Sequence, residues 1–366
     1  MQRLLFVLSR LDWLLFGSSM VLISFGLAAI YSVALSTEST DFGNLEKQLV
    51  AIAIGLAIVI FLSASNYKLL RSWTLVIYVV GILLLIGVLF FGSTIRGTTG
   101  WFDLGLFSFQ PVEFMKIALV LTLAKYFSES ARRQFGWREL LASGILTGIP
   151  VGLTMLQPDL GSALMLVGIW TVLIFFAGLK WRQALLLGAF AVIFALFAWF
   201  VLFDTYQHER ILTFMDPSRD PLGRGYNVTQ AIIAVGSGEW LGRGLGFGSQ
   251  SQLKFLPESQ TDFIFAVIAE ELGFVGVFFI LGAFALLFAR LFRLIRLSRE
   301  DYTTYLLLGV VAIIFLQVLV NIGMNLGLLP VTGIGLPLVS YGGSSIIMAL
   351  ALLGIAESVA VHTSSS

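Results

Sequence analysis

The chain has no cysteine and only two histidines, His208 and His362, in 366 residues. The first absence excludes disulfides, thiol nucleophiles and cysteine metal sites. The second leaves almost no material for a serine–histidine–aspartate triad or a multi-histidine metal centre. Charge is scarce too: Asp, Glu, Lys and Arg together make up 12% of the residues, about half the share usual in soluble domains. Acid–base chemistry, if there is any, falls to carboxylates. Anion binding falls to arginines, whose planar fork suits phosphate.

What fills the chain instead is apolar. Hydrophobic residues make up 58%, and the mean hydropathy is +0.95. Runs near the ~20 residues that cross a hydrocarbon core recur along the whole length. Ten are read, at 13–35, 48–65, 72–92, 111–128, 139–157, 160–179, 182–203, 263–289, 303–327 and 336–360. Backbone groups in lipid must be satisfied within their own segment, and barrel-type alternation is absent. The expected fold is therefore an all-α polytopic membrane protein of about ten transmembrane helices. It is read as one integral membrane domain, 1–366, with 204–262 as a large extracytoplasmic loop between helices 7 and 8. The first apolar run is too long for a signal peptide and lacks a small-residue cleavage site, so no cleaved leader is expected.

Charge placement sets the orientation. With the N-terminus in the cytoplasm, that side receives Arg3, Arg10, Lys68, Arg71, Lys125, Arg132, Arg133, Arg138, Lys180, Arg182, Arg290, Arg293, Arg296 and Arg299, fourteen of the 22 Lys and Arg. Short outer loops hold only Lys47 and Arg96 among bases, beside the acids Glu38, Asp41 and Glu46. The positive-inside rule supports this topology, with both termini cytoplasmic. The net charge of +1 says little about partners.

The polar chemistry then lies on the outer face. Pro111 suits the first turn of a helix. Glu113 and Lys116, three residues apart, share a face of that helix and can pair, either as part of a site or as an ion pair that fixes packing. Asp159, in Gln157-Pro158-Asp159-Leu160-Gly161, reads as a helix N-cap that can still reach a substrate. The long outer segment is rich in glycine and turn residues, with enough apolar content for short interfacial helices around 208–215 and 226–236. At its end Asp262 stands at the mouth of an apolar helix, with Glu270 and Glu271 about 12 Å further along at 1.5 Å per residue. Carboxylates at and inside the bilayer edge are functional-site candidates by default. From the residues alone two readings stay open: transfer from a phosphate-linked donor, and a transporter with acidic relay residues.

Several motifs resemble the SEDS family of cell-wall proteins, which includes the RodA and FtsW branches. They are Phe109-Gln110-Pro111-Val112-Glu113-Phe114-Met115-Lys116, Gln157-Pro158-Asp159-Leu160-Gly161, Asp216-Pro217 through Asp220-Pro221-Leu222-Gly223, Gly236-Ser237-Gly238, and Gln250 through Glu258. Thr261-Asp262-Phe263-Ile264-Phe265-Ala266, Glu270-Glu271-Leu272-Gly273 and Leu336-Pro337-Leu338-Val339-Ser340-Tyr341-Gly342-Gly343-Ser344-Ser345 complete the set, in the expected order across nearly the whole chain. The residues before Phe255-Leu256-Pro257-Glu258, and Pro337-Leu338-Val339-Ser340, look more like the RodA branch.

The resemblance implies a peptidoglycan glycosyltransferase that polymerises lipid II into glycan strands at the outer leaflet of the bacterial cytoplasmic (inner) membrane, for cell elongation and shape. Asp262 matches the family's catalytic aspartate and is assigned as general base. Desolvation would raise its pKa and nearby arginines would lower it. Arg210, then Arg243, are the choices to hold the leaving pyrophosphate. Glu113, Lys116 and Asp159 would line the same outer cavity, and Gln252, Glu258 and Thr261 would position sugar or support Asp262. Glu270 and Glu271 read mainly as packing residues.

Two positions depart from the family pattern: Gln260 stands where His is common, and Gly100 where Arg commonly precedes Trp101. The implied partners are lipid II, the nascent glycan strand, membrane lipids and a class B penicillin-binding protein, with lipid-facing surface on the last spans, near Gly343 and Ala349, as a docking site. No nucleic-acid partner is expected. No cofactor is evident, although outer carboxylates could bind a divalent cation. The alternative reading is a flippase or transporter of lipid-linked precursor, which requires polar faces running through to the cytoplasmic ends of several spans.

Overall fold

The structure is a computed structural model that describes residues 9–35, 42–95, 97–103, 105, 108–130, 135–202, 205–216, 219–220, 223–253 and 255–363. Long helices occupy all ten expected spans: α1 (Trp13–Leu35), α2 (Gly43–Ala64), α3 (Lys68–Phe91), α4 (Pro111–Ser130), α5 (Trp137–Met155), α6 (Leu160–Phe176), α7 (Trp181–Phe197), α11 (Ile264–Leu297), α12 (Asp301–Asn325) and α13 (Gly343–Thr363). Seven of them, α1, α2, α3, α7, α11, α12 and α13, are long and apolar enough to cross a membrane by length and composition, α7 together with the π-helical turn that extends it from Ala198. Helix α6 is apolar but only 17 residues long. Helix α4 carries Glu113, Lys116, Lys125 and Glu129. The chain is an integral membrane protein of the all-α polytopic class.

Small residues let the helices approach closely, as expected where lipid gives no hydrophobic drive to pack. A Cβ on Gly26 of α1 would fall 2.2 Å from the Val339 carbonyl oxygen, and one on Gly354 of α13 would sit 3.0 Å from the Val59 backbone of α2. Helix α13 runs along α2, α11 along α1, and α4 along both α3 and α12. Helix α7 stands apart: Gln183 is its only buried residue. The interior between the two ends of the bundle is one apolar core that includes Leu119, Val120, Leu306, Leu307, Ile313 and Leu350.

Three features differ from the sequence reading. The α3–α4 connection folds as an antiparallel sheet of β1 (Ser93–Ile95), β2 (Thr98–Asp103) and β3 (Ser108–Phe109), where no strands were expected. Thr94, Ile95, Thr98, Thr99, Trp101 and Phe102 are β-branched or aromatic, and Gly97 at φ +81° makes the turn. The last span begins at Gly343 and not at 336, because Leu336 to Gly342 forms a turn that is hydrogen-bonded to other segments. That span is also the most enclosed, with Ala349 only 5% exposed. A lipid-facing docking site at Ala349 is thereby corrected: a bulky residue there would disturb the core.

The third difference is in the long outer segment, which holds α8 (Thr205–Met215), α9 (Arg224–Ser237) and α10 (Ser249–Gln252). Helices α8 and α9 lie close to where they were expected. Residues 238–252, however, are not simply loop: they fold against a break in α11. Gly273 there has φ 61° and ψ −163°, and the next turn loses its internal bonds. The segment replaces them. Phe274 N–H donates to the Glu239 carbonyl (2.8 Å) and Val275 N–H to Trp240 (3.1 Å), while the Glu270 and Glu271 carbonyls accept from Arg243 N–H (3.0 Å) and Gly244 N–H (2.9 Å). Irregular backbone at membrane depth persists only when protein satisfies it in this way. Gly242, at φ +76°, leaves no room for a side chain: a Cβ would meet the Glu271 carbonyl oxygen at 2.2 Å.

Candidate functional site

Asp262 is 8% exposed and lies two residues before the first residue of α11. The N-cap residue, Phe263, makes no side-chain capping bond. The cap comes from α12 instead. Asn325 Oδ1 accepts the Ala266 N–H at 3.1 Å, while Asn325 Nδ2 and Asn321 Nδ2 both donate to the Asp262 carbonyl, at 3.0 and 2.9 Å. Asn321 also donates to the Ile334 carbonyl (2.8 Å), which ties in the segment that follows α12. Both asparagines are fully buried. The amides thus satisfy backbone groups that a helix start leaves open, and they fix the peptide that carries the Asp262 side chain.

The residues before Asp262 are held from other sides. The Ser340 hydroxyl donates to the Thr261 carbonyl at 2.6 Å and accepts the Leu336 N–H at 2.7 Å. Gln48 of α2 bridges the same turn, donating to the Ser340 carbonyl (3.2 Å) and accepting from Gly342 N–H (3.1 Å). Gln260 accepts from Asn44 Nδ2 (2.8 Å) through its side chain and from Tyr341 N–H (2.8 Å) through its carbonyl. Gln260, one of the two departures from the expected family pattern, is therefore a structural link. Burial raises the Tyr341 phenol above its ordinary range, so it stays neutral beside the site. Gly333 backs onto Asp262 Oδ2, and the preceding Thr332 carbonyl abuts Gly161 at the start of α6. Asp159 and Asp262 therefore flank one short segment, 332–333.

The other expected site residues divide into several groups. Glu113 and Lys116 form an ion pair at 2.7 Å with side chains 14% and 3% exposed, in the first two turns of α4. Asp159 is the N-cap of α6, accepting from Ser162 N–H (3.0 Å) and Oγ (2.6 Å). Glu258 is exposed and accepts from the Thr261 hydroxyl at 3.1 Å, so these two brace the turn before Asp262. Gln252 does not support Asp262: its amide donates to the Ser32 carbonyl (3.1 Å) and to Glu271 Oε1 (3.4 Å). Arg243 is exposed and donates through Nε to the Ser237 carbonyl (3.2 Å), on the segment packed against the α11 break. The backbone of Arg210 lies in α8, but its side chain, like the whole of Arg96, falls outside the described residues. Gly100 is buried with Gln157 Oε1 beside it.

Glu270 and Glu271 both bond the segment at 249–252. Glu270 accepts from Gln250 N–H (2.8 Å) and Ser251 N–H (3.1 Å), and Glu271 Oε1 accepts from the Ser32 hydroxyl (2.6 Å) and the Ser251 hydroxyl (3.3 Å). Among the described residues no three His, Asp or Glu side chains gather as a metal cage. Sequence reasoning missed Asn321, Asn325, Ser340 and Gln48. The available signal was the Asn321/Asn325 pair at i, i+4 inside an apolar span, since buried amides in a membrane helix demand partners.

The chain was compared with known proteins. A family model described as a cell cycle protein, covering FtsW, RodA and SpoVE, matches residues 12–365. The peptidoglycan glycosyltransferase MrdB of Escherichia coli (strain K12) is 39% identical over 341 residues, 91% of this chain and 90% of that protein. Stage V sporulation protein E of Bacillus subtilis (strain 168) is 37% identical, with 96% and 97% covered. Among solved structures, a chain from work on the structural coordination of polymerization and crosslinking by a peptidoglycan synthase complex superposes with a TM-score of 0.80 at 36% identity, covering 97% of this chain and 99% of that one. The rod shape determining protein RodA of Thermus thermophilus superposes with a TM-score of 0.70 at 33% identity, covering 96% of each chain.

Proposed function

Because this chain belongs to the FtsW, RodA and SpoVE family, we infer that it is a peptidoglycan glycosyltransferase whose reaction centres on Asp262. The substrate is lipid II and the growing glycan. The 4-hydroxyl oxygen of the acceptor GlcNAc attacks the anomeric carbon of a lipid-linked MurNAc donor. The new glycosidic bond forms as the bond to pyrophosphate breaks, the proton passes to the Asp262 carboxylate, and undecaprenyl pyrophosphate leaves with the electron pair. The observation that carries this reading is the clamped aspartate. Asp262 sits at the outer end of its helix, almost buried, with its peptide held by two asparagines from another helix. A base fixed in this way loses little entropy when a hydroxyl docks against it.

Arg210 and Arg243 are the candidate cations for the pyrophosphate. The Glu113–Lys116 pair and Asp159 shape the wall of the same outer end. A divalent cation, if the reaction uses one, would come with the donor, since magnesium keeps its waters and takes few protein ligands beside phosphate oxygens. The active site faces outward from the cytoplasmic membrane, with both termini inside. A class B penicillin-binding protein is the proposed partner; the similar chain solved within a peptidoglycan synthase complex supports that pairing. The continuous apolar core between the two polar ends of the bundle argues against a translocation path.

The test is lipid II polymerisation by purified protein, with and without a class B partner, comparing wild type with Asp262→Asn. Glycan from the wild type and none from an equally folded variant supports the assignment. Equal product from both moves the base elsewhere, with Glu113 next. No product from either, with the partner present, returns the transporter reading.

A further inference from the structure

At the far end of α11, roughly 40 Å from Asp262 at 1.5 Å per residue, the helix ends surround a half-open cavity of about 550 Å³, into whose rim the exposed Arg293 and Arg299 are gathered. Four separate parts of the chain wall it: the segment before α1, the α2–α3 corner, the α11–α12 link and the end of α13. Arg10, Lys68, Arg290, Arg293, Arg299 and His362 all line it. These parts are the ones that charge placement assigns to the cytoplasmic side.

The carboxylates nearby are already committed. Asp12 takes Arg290 through Nη2 at 2.7 Å and Nε at 2.9 Å, and Glu300 takes Lys68 at 2.6 Å. Glu357, buried behind them, accepts the Asp12 N–H at 2.9 Å. Five permanent cations thus face three carboxylates, and Arg293 and Arg299 make no ion pair among the described residues. Asn66, Ser298 and Thr303 add neutral hydrogen-bonding groups to the wall. A cationic cytoplasmic surface is ordinary in a membrane protein. A cavity that gathers the cations between helix ends is a different thing, and basic pockets of this kind suit phosphate headgroups.

We propose that this cavity binds a phosphate-bearing anion, with Arg293 and Arg299 as its principal ligands. The anion has two possible sources, the headgroup of an acidic phospholipid and a soluble pyrophosphate, and both would complete the same set of donors. Occupancy would tie the N-terminal segment and the α2–α3 corner to the ends of α11 and α13. The proposal is independent of the reaction at Asp262.

Native mass spectrometry of the full chain, purified and offered equal amounts of dioleoyl phosphatidylglycerol and dioleoyl phosphatidylcholine, reads the lipid source. Thermal unfolding in phosphatidylcholine nanodiscs, with and without millimolar inorganic pyrophosphate, reads the soluble source. A lipid site gives a phosphatidylglycerol preference of about tenfold or more, at roughly fivefold per interfacial charge. The preference falls to parity in Arg293→Gln/Arg299→Gln. It falls equally in Ser298→Trp, which fills the cavity without removing a charge, and it persists in Arg138→Gln, which removes an exposed cytoplasmic cation outside the cavity. A soluble site instead gives a pyrophosphate-dependent rise in Tm that both cavity variants lose. The proposal is overturned if neither preference nor Tm rise exists. It is equally overturned if Ser298→Trp keeps full binding, or if Arg138→Gln loses as much as the double variant, since surface charge alone would then account for the effect.

Discussion

Asn325 holds Asp262 without touching its carboxylate, and replacing it with alanine isolates that role. The substitution removes the acceptor for the Ala266 N–H, which has no second acceptor among the described residues, and one of two donors to the Asp262 carbonyl. An orphaned buried N–H costs about 1–3 kcal/mol, and a lost neutral hydrogen bond about 1 more, so the fold should lose about 2–4 kcal/mol. The start of α11 is then held through Asn321 alone. Displacing a reacting group by about 1 Å costs on the order of 10²-fold in rate. The expected result is a kcat for lipid II polymerisation about 10²-fold below wild type with KM little changed, in protein that still unfolds cooperatively in detergent. Asn321→Ala serves as the internal comparison. It leaves the Ala266 cap intact and the Asp262 carbonyl still bonded to Asn325, so its rate should fall clearly less. Asn325→Ala within about threefold of wild type, or Asn321→Ala as the worse variant, would refute the clamp.

Two further outcomes follow from the geometry. Glu270 accepts two backbone N–H groups on its two oxygens, whereas Glu271 receives its hydrogen bonds on Oε1 alone and has no partner at Oε2. Glu270→Gln therefore turns an NH₂ toward an N–H and should cost about 1–3 kcal/mol in unfolding, while Glu271→Gln can keep every bond and should cost under about 1 kcal/mol; equal costs would mean the outer segment is held some other way. Lys116→Met strands Glu113 in a nearly closed setting and should cost about 3–5 kcal/mol, most of it recovered in Glu113→Gln/Lys116→Met. If that double variant also polymerises lipid II at the wild-type rate, the pair is packing only, and its place in the substrate cavity is lost.

Length and hydropathy made the spans legible, because a bilayer enforces helices of a given length and leaves little else to decide. The two short helices of the long segment were legible from its apolar and aromatic content between turn residues, too high for open loop. The break at Gly273 was not. A glycine in Glu271-Leu272-Gly273-Phe274 reads like the many packing glycines of membrane helices, and only the partner segment at 239–244 reveals what its φ of 61° is for. The sheet of the α3–α4 connection was hidden by the brevity of its strands, down to two residues in β3. At the site, Asp262 stood out because a charge at a bilayer edge is costly. The bonds of Gln252 to Ser32 and Glu271 were not legible, because its place in sequence says nothing of what it meets in space.

The clamp on Asp262 also sets an order of events during synthesis. The aspartate and the helix it heads are made well before Asn321, Asn325, Ser340 and Tyr341, all of which lie in the final fifth of the chain. Until that final fifth is threaded, the carboxylate sits on a helix start with no cap and no fixed direction. A nascent or prematurely terminated chain can thus carry every acidic residue of the site and still lack the site. If the proposed role of Asp262 holds, a chain that ends before its last two helices is expected to polymerise no lipid II, which an activity assay of the truncated protein checks.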